Sequence, residues 1–202
     1  NFNLERNLIL TNAQAHNYFY YIFKKITDFS FVLVIMTFFI ILFPMIGLMI
    51  KLSSKGPIIF SQARIGINGK NFICYKFRTM DVKTPNLATH MNTHLQLNKI
   101  GLFLRKLKLD ELPQVINIIK GNMSLIGPRP GLDNQTELLN ERSKRNVFKM
   151  MPGITGLAQV NGIDMSDPEK LAKIDQVYYY QRTIFLDLKI ILATIFKFKL
   201  NV

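Results

Sequence analysis

The chain holds one cysteine, Cys74, in 202 residues, so no internal disulfide can form and the fold must rest on its core. A chain of this length can bury a sufficient core unaided, as one domain or one domain with an attached segment. Acids are scarce too: 13 Asp and Glu face 26 Lys and Arg, a formal net charge of +13. That excess calls for an anionic partner, whether nucleic acid, an anionic membrane surface or a phosphorylated substrate. Charged residues make up 19% and hydrophobic ones 49%, which excludes a disordered or tail-like chain. Neither a GxGxxG loop nor a Walker pattern occurs, so any nucleotide has to be held by other groups. No internal repeat or low-complexity segment is present. Residues 1–17 are polar and mixed, unlike a cleavable signal peptide, and the leading Asn1 suits a trimmed piece of a longer chain.

The apolar residues are concentrated. From Phe29 to Ile50 no charge occurs, and a helix of that run reaches about 33 Å, enough for a bilayer core. Pro44 lies inside it, with Gly47 after it, and a proline removes a backbone donor and kinks a helix. Lys24 and Lys25 precede the run, and Lys51 and Lys55 follow it, so the positive-inside rule selects no direction. A helix bent at Pro44 that returns to the same face resolves the conflict; a plain spanning helix with a tolerated proline is the alternative. Tyr18, Tyr20, Tyr21 and Phe23 suit a membrane interface or a core equally.

Beyond this run the pattern is mixed. Residues 58–60 read as a short strand, 67–70 as a hairpin turn, and 71–80 as an alternating strand. Period 2 sets Phe72, Cys74, Lys76 and Arg78 on one face, either as a phosphate-facing pair of cations or as a solvated basic edge. Residues 83–98 read as a polar, mobile loop; its His90 and His94 lack the Glu of a zincin and a third ligand. A helix is predicted over 100–109 and another over 112–120, with Asp110 and Glu111 at the start of the second, where the helix dipole favours carboxylates. Pro128 and Pro130 fix the backbone around Arg129, which suits an arginine that meets a phosphate in bidentate geometry. A basic helix is predicted over 135–149, a turn over 151–156 and an extended piece over 157–162. A helix starts at Ser166 with capping-box spacing to Glu169 and runs through Asp175 and the tyrosines at 178–180. Residues 185–198 read as an interfacial amphipathic helix or as a core-packing terminal one.

An adjacent pair of acids in so basic a chain is informative. Asp110 and Glu111 are either a helix cap with its following acid or the centre of phosphoryl chemistry. In the second reading one carboxylate attacks phosphorus and the other holds a hard divalent cation such as Mg²⁺. Arg105, Arg129, Lys76 and Arg78 are the candidates for neutralising the phosphoryl oxygens.

Longer motifs then resemble one family. Lys-Phe-Arg-Thr-Met at 76–80, Leu-Asp-Glu-Leu-Pro-Gln at 109–114, Gly-Asn-Met-Ser-Leu-Ile-Gly-Pro-Arg-Pro at 121–130 and Pro-Gly-Ile-Thr-Gly-Leu-Ala-Gln-Val-Asn-Gly at 152–162 look like the bacterial sugar transferases. These are the monotopic polyprenol-phosphate phosphoglycosyl transferases. The stretch 51–57, Gln62-Ala63-Arg64 and 186–190 agree, so the resemblance covers about residues 22–195. The chain departs from the family pattern at Phe43, Met151 and Ile163.

The resemblance implies an α+β, mostly helical protein with a small β element. It implies an N-terminal extension over 1–21, a re-entrant helix bent at Pro44 over 22–50, and a catalytic domain over 51–202. It further implies transfer of a sugar phosphate from a UDP-sugar to a polyprenol phosphate such as undecaprenyl phosphate, with UMP released. Asp110 matches the nucleophile that forms a covalent phosphosugar, and Glu111 the glutamate linked to Mg²⁺, with both carboxylates available to the metal. Lys76, Arg105 and Arg129 match basic residues near the dyad; Arg78 and Arg64 complete the expected phosphate-binding set. The expected location is the cytoplasmic face of a bacterial inner membrane, with anionic lipids as partners, no nucleic acid, and a homodimer as a possible assembly. Two rivals remain at this level, a catalytically silent scaffold of the same fold and a membrane-tethered nucleic-acid binder. The second lacks aromatic-interleaved basic repeats.

Charge placement favours the phosphate reading. Six cations against one acid lie between Lys51 and Val82, and six against two between Lys99 and Arg129, those two acids being the dyad itself. The cations of 142–149 and 189–199 are expected to face anionic headgroups.

Overall fold

A computed structural model describes residues 18–81 and 99–200. Helix α1 (Tyr18–Ser53) leads into a hairpin of β1 (Ile59–Ile65) and β2 (Asn71–Phe77). Helix α2 (Lys99–Lys106), a 3-10 turn (Leu109–Gln114) and short α3 (Val115–Ile119) precede β3 (Ser124–Ile126). Then follow α4 (Thr136–Lys144), β4 (Gly153–Thr155), α5 (Leu157–Val160), α6 (Pro168–Gln181) and α7 (Ile184–Phe196). The expected α+β class, mostly helical with small sheets, is what these elements form.

Helix α1 is continuous through Pro44 and runs from Tyr18 to Ser53, longer at both ends than the expected 22–50. At 1.5 Å per residue its 36 residues extend about 54 Å, well beyond a hydrocarbon core of about 30 Å. It is the one helix among the described residues long and apolar enough to cross a membrane, with a mean hydropathy of 2.8 in its most apolar stretch. Its two faces are both apolar but differ in burial. Tyr20, Val32, Ile46 and Ile50 are buried, whereas Phe29, Leu33, Phe38, Ile41, Met45 and Leu48 are each more than half exposed. These exposed positions recur every three to five residues, close to the period of one helix face. The other face packs on the body along the whole helix. Phe31 and Ile35 join the core of Leu125, Tyr178 and Ile190. Phe39, Leu42 and Phe43 join that of Ile46, Phe77 and Leu104.

Polar contacts fasten the N-terminal half of α1. The Asp28 carboxylate accepts from the Ser124 hydroxyl at 2.7 Å and the Leu125 N–H at 3.1 Å, which caps the edge of β3. Asp187 on α7 accepts from the Tyr178 hydroxyl at 2.7 Å, the Tyr20 hydroxyl at 3.1 Å and Lys24 Nζ at 3.3 Å. Arg182, at the α6–α7 elbow, lies 4.8 Å from the Tyr179 ring centre and 5.3 Å from that of Tyr21, to whose hydroxyl it donates. The tyrosines around position 20 thus serve as joints between α1 and the body.

The hairpin is antiparallel, with Phe60 opposite Lys76 and Gln62 opposite Cys74. Its turn at 67–70 is a short 3-10 segment in which Asn68 and Gly69 take positive φ of 55° and 70°. The second sheet is a parallel pair, β3 beside β4, in which Ser124 aligns with Gly153 and Ile126 with Thr155. The segment 151–156, expected as a turn, holds this strand because the β3 edge offers it a buried ladder. The approach is close: a Cβ on Gly153 would sit 2.1 Å from the Gly127 nitrogen.

Three further local expectations change. Residues 157–160 are a helical turn, not extended; Leu157 and Ala158 are both buried, and Val160 N–H donates to the Gly156 carbonyl at 3.1 Å. Asp167, not Ser166, caps α6: its carboxylate accepts from the Lys170 N–H at 3.0 Å, while Ser166 bonds to Asp164. The basic helix of 135–149 stops at Lys144, and Asn146 turns left-handed before a single 3-10 turn. The loop of 83–98, with His90 and His94, lies outside the described residues.

Candidate active site

The site forms where β2, the 3-10 turn and the Pro128–Pro130 segment meet. Helix α2 ends at Lys106 because Lys108 adopts a left-handed conformation, φ 56°. That reversal aims the next turn at the hairpin. Pro113 sits inside the 3-10 segment, so Asp110 and Glu111 lie in its first turn and not at the head of a longer α-helix. The expected helix over 112–120 is in fact this tight turn followed by the five residues of α3.

Glu111 Oε1 accepts two charge-assisted hydrogen bonds, from Lys76 Nζ and from Arg129, each at 2.8 Å. Burial alone pushes its carboxyl up, but Arg129 and Lys76 more than offset this and hold it well below the usual carboxylate range. Asp110 is different. It is 8% exposed, and its carboxylate takes no hydrogen bond from another described residue. Burial first, and then the neighbouring Glu111 charge, push its pKa up, against the pull of Lys76, Arg105 and Arg129. Two adjacent acids are therefore driven apart: one is a fixed anion, the other a more basic, unengaged carboxylate.

Arg105 comes from α2, and its Nε donates to Thr79 at 2.9 Å. Burial lowers its pKa and Asp110 raises it, which sets its charge beside the dyad. Lys76, Arg105 and Arg129 are thus gathered around Asp110 and Glu111. The structure takes Arg78 elsewhere. Its guanidinium donates to the carbonyls of Lys55 at 2.6 Å and Ser54 at 2.8 Å, at the end of α1. The strand ends at Phe77, so the alternation that paired Arg78 with Lys76 no longer holds there. Arg64 lies behind the site, donating to the Pro130 carbonyl at 3.1 Å and to Gln62. Burial pulls its pKa down to about 10, so it remains a cation near neutral pH. Cys74, in the same strand row as Lys76, is buried, and that burial raises its thiol pKa.

Three supporting residues escaped sequence reasoning. Asn117, fully buried on α3, accepts from the Tyr75 N–H at 3.1 Å and donates to the Ile73 carbonyl at 2.6 Å. Its amide thereby takes the place of a neighbouring strand along β2. Arg142 and Asp175 form a buried pair, with Arg142 donating to one Asp175 oxygen at 2.7 and 3.0 Å. Arg142, expected among the cations that face headgroups, is drawn inside by its partner on α6. A polar residue on an otherwise apolar helix face is the signal that marks Asn117; nothing in the sequence links Arg142 to Asp175.

No cluster of three or more His, Cys, Asp or Glu occurs among the described residues. The donor set suits a cation that needs few protein ligands. Magnesium binds through one or two carboxylates and completes its shell with water and substrate phosphates. Asp110 is unengaged and adjoins Glu111, so the pair fits that requirement.

A long apolar helix, long enough to cross a membrane, lies on a small α+β body in which a carboxylate pair sits among three cations. The sequence matches the bacterial sugar transferase family over residues 19–200, and the chain belongs to that family. It is 39% identical over 178 residues to the uncharacterized sugar transferase EpsL of Bacillus subtilis (strain 168), covering 87% of each chain. It is 39% identical over 163 residues to the UDP-glucose:undecaprenyl-phosphate glucose-1-phosphate transferase of Escherichia coli (strain K12), covering 75% of this chain and 35% of that one. With the UDP-N-acetylgalactosamine-undecaprenyl-phosphate N-acetylgalactosaminephosphotransferase of Aeromonas hydrophila it shares 35% identity over 159 residues, covering 74% and 37%. The chain thus spans little more than a third of these two named enzymes.

Proposed function

We propose that the protein transfers a sugar 1-phosphate from a UDP-sugar to undecaprenyl phosphate, or a similar polyprenol phosphate, as a first membrane step in bacterial polysaccharide or glycan synthesis. The observation that carries this reading is the split dyad: Asp110 takes no hydrogen bond among the described residues and is shifted up, while Glu111 is locked by Lys76 and Arg129.

In this reading an Asp110 oxygen attacks the phosphorus bonded to the sugar. A carboxyl–phosphorus bond forms, the bridging bond to the uridine phosphate breaks, and UMP leaves with that electron pair. An oxygen of the lipid phosphate then attacks the same phosphorus, and the Asp110 carboxylate is regenerated. The raised basicity of Asp110 makes it the better nucleophile of the two acids. Arg129 and Lys76 hold Glu111 ionised, and with Arg105 they face the phosphoryl oxygens as charge builds on them. Asp110 and Glu111 would hold Mg²⁺, which neutralises diphosphate charge when bound. Arg64 acts one layer out, on the Pro130 carbonyl of the segment that carries Arg129, and Arg78 ties the end of β2 to the end of α1.

The lipid phosphate stays at headgroup depth, so the site belongs at the membrane surface, which we assign to the cytoplasmic face of the inner membrane. Helix α1 supports this. Both of its halves pack on the body that bears the site, and its other face is apolar and exposed. A helix held to the body at both halves favours both ends on one side of the bilayer, with the exposed face toward lipid. Anionic lipids would meet the exposed cations of 189–199. UMP release from a panel of UDP-sugars in the presence of polyprenol phosphate tests the reading. Transfer of radiolabelled sugar phosphate to lipid is expected with at least one donor; no release with any donor overturns it.

A further inference from the structure

The segment that carries Arg129 lacks the usual means of fixing a backbone. Pro128 and Pro130 have no N–H to donate, so the chain on either side of Arg129 can be held only through its carbonyls. Four successive carbonyls are held, each by a different donor. Pro128 accepts from the Gly153 N–H at 3.0 Å, and Gly131 from the Ile65 N–H at 3.0 Å. Pro130 accepts from Arg64 at 3.1 Å. The carbonyl of Arg129 itself accepts from Arg142 at 2.8 Å.

Arg142 is placed for this by Asp175. Its Nε and one terminal nitrogen grip a single Asp175 oxygen, which leaves the other terminal nitrogen to reach the Arg129 carbonyl. Both side chains are almost wholly buried, at 3% and 4% exposure. A buried ion pair recovers little net stability once desolvation is counted, so stability alone is a weak reason to keep one. Geometry is a better reason. The guanidinium bridges α6 to the carbonyl of Arg129 itself, in one of the two peptide groups that flank the Cα from which its side chain starts.

We infer that Arg142 and Asp175 are positioning residues for Arg129: they fix its carbonyl, and through it the guanidinium that holds Glu111 and meets the donor's diphosphate. This rests on the transfer reading above. Lysine at 142 keeps the charge toward Asp175 but offers one nitrogen where Arg142 uses three, two on the carboxylate and one on the carbonyl.

The test is a double-mutant cycle on the full chain in detergent, with Arg142→Lys and Asp175→Asn each made alone and with Arg129→Ala. In the parent background each is expected to lower kcat/KM for the UDP-sugar about tenfold or more. With Arg129 truncated, each changes it by less than about twofold, because the group being positioned is gone. Calorimetric binding of UDP, which needs no turnover, follows the same pattern, with Kd about tenfold weaker only when Arg129 is present. An equal loss in both backgrounds overturns the inference, since it marks general damage to the fold. So does parent-like behaviour of both variants, or failure of both to fold, which would make the pair a folding element. Absence of UMP release by the unmodified chain sinks the transfer reading instead, and UDP binding then still decides the link to Arg129.

Discussion

Asp110 and Glu111 are neighbours in sequence, similar in chemistry and opposite in state. Among the described residues, Glu111 alone of the two has cations within hydrogen-bond reach. This makes two predictions with opposite signs. Asp110 has a folded pKa raised above its unfolded value, so its ionised form costs stability as pH rises through that folded pKa. Asp110→Asn should therefore abolish UMP release, by a thousandfold or more, and yet raise Tm at pH 7. A normal turnover number would remove Asp110 as nucleophile, and a lowered Tm would remove the burial argument. Glu111 has a folded pKa depressed below its ordinary 4.5, so its contribution is present above pH 4.5 and is lost as pH falls through the folded value. Glu111→Gln should lower stability at neutral pH and flatten the loss on acidification below about pH 4.5. Unfolding curves from pH 7 to pH 3 for both proteins check this; parallel curves would contradict it.

At the scale of elements, the site depends on two short connections that propensity cannot reveal. One is the Asn117 clasp on β2, which keeps Lys76 in register with Glu111. Removing the amide leaves the Tyr75 N–H and the Ile73 carbonyl, both part-buried, without this partner. Asn117→Ala is expected to cost about 2–3 kcal/mol in denaturant unfolding, and an effect under about 0.5 kcal/mol would refute the clasp. The other is the contact of Gly127 with Gly153, where β3 and β4 leave no room for a side chain. Gly153→Ala forces backbone atoms apart beneath the Pro128–Pro130 segment. Loss of the folded protein, or of most UMP release, is expected; a parent-like Tm and activity would contradict the packing. The periodicity of β2 was readable in advance and placed Lys76 correctly. It failed at Arg78, one residue past the strand, because the carbonyls at the end of α1 compete for that guanidinium.

For the whole molecule, the question is how a 36-residue apolar helix meets a basic body. Its inner face is shared among α7, β3, α2 and α3, while Asp28 and the Asp187 cluster bolt its N-terminal half to the body. A helix that crossed the bilayer outright would pull one of those halves away. In a Cys74→Ser background, single cysteines replacing Lys25 and Lys51 are both expected to react with an impermeant maleimide from the same side of membrane vesicles. Labelling from opposite sides would establish a plain span. The outer face of α7 adds Phe185, Ile195 and Phe196, each more than 60% exposed, while Ile190 on its inner face is core.

By itself the sequence determined that the chain is basic, apolar and unstapled, that a long uncharged run precedes a mixed α/β body, and that an acid pair and Arg129 belong to a family pattern spanning nearly the whole chain. These are properties of composition, local period and contiguous motif, and each can be read without knowing what folds against what. Only the tertiary structure decided that Glu111 is locked while Asp110 stands unengaged, that Arg78 and Arg64 serve backbone carbonyls, and that Arg142 turns inward to Asp175. Those outcomes depend on hydrogen bonds between residues 13 to 66 positions apart, where a buried polar group takes whichever partner the packing brings within about 3 Å.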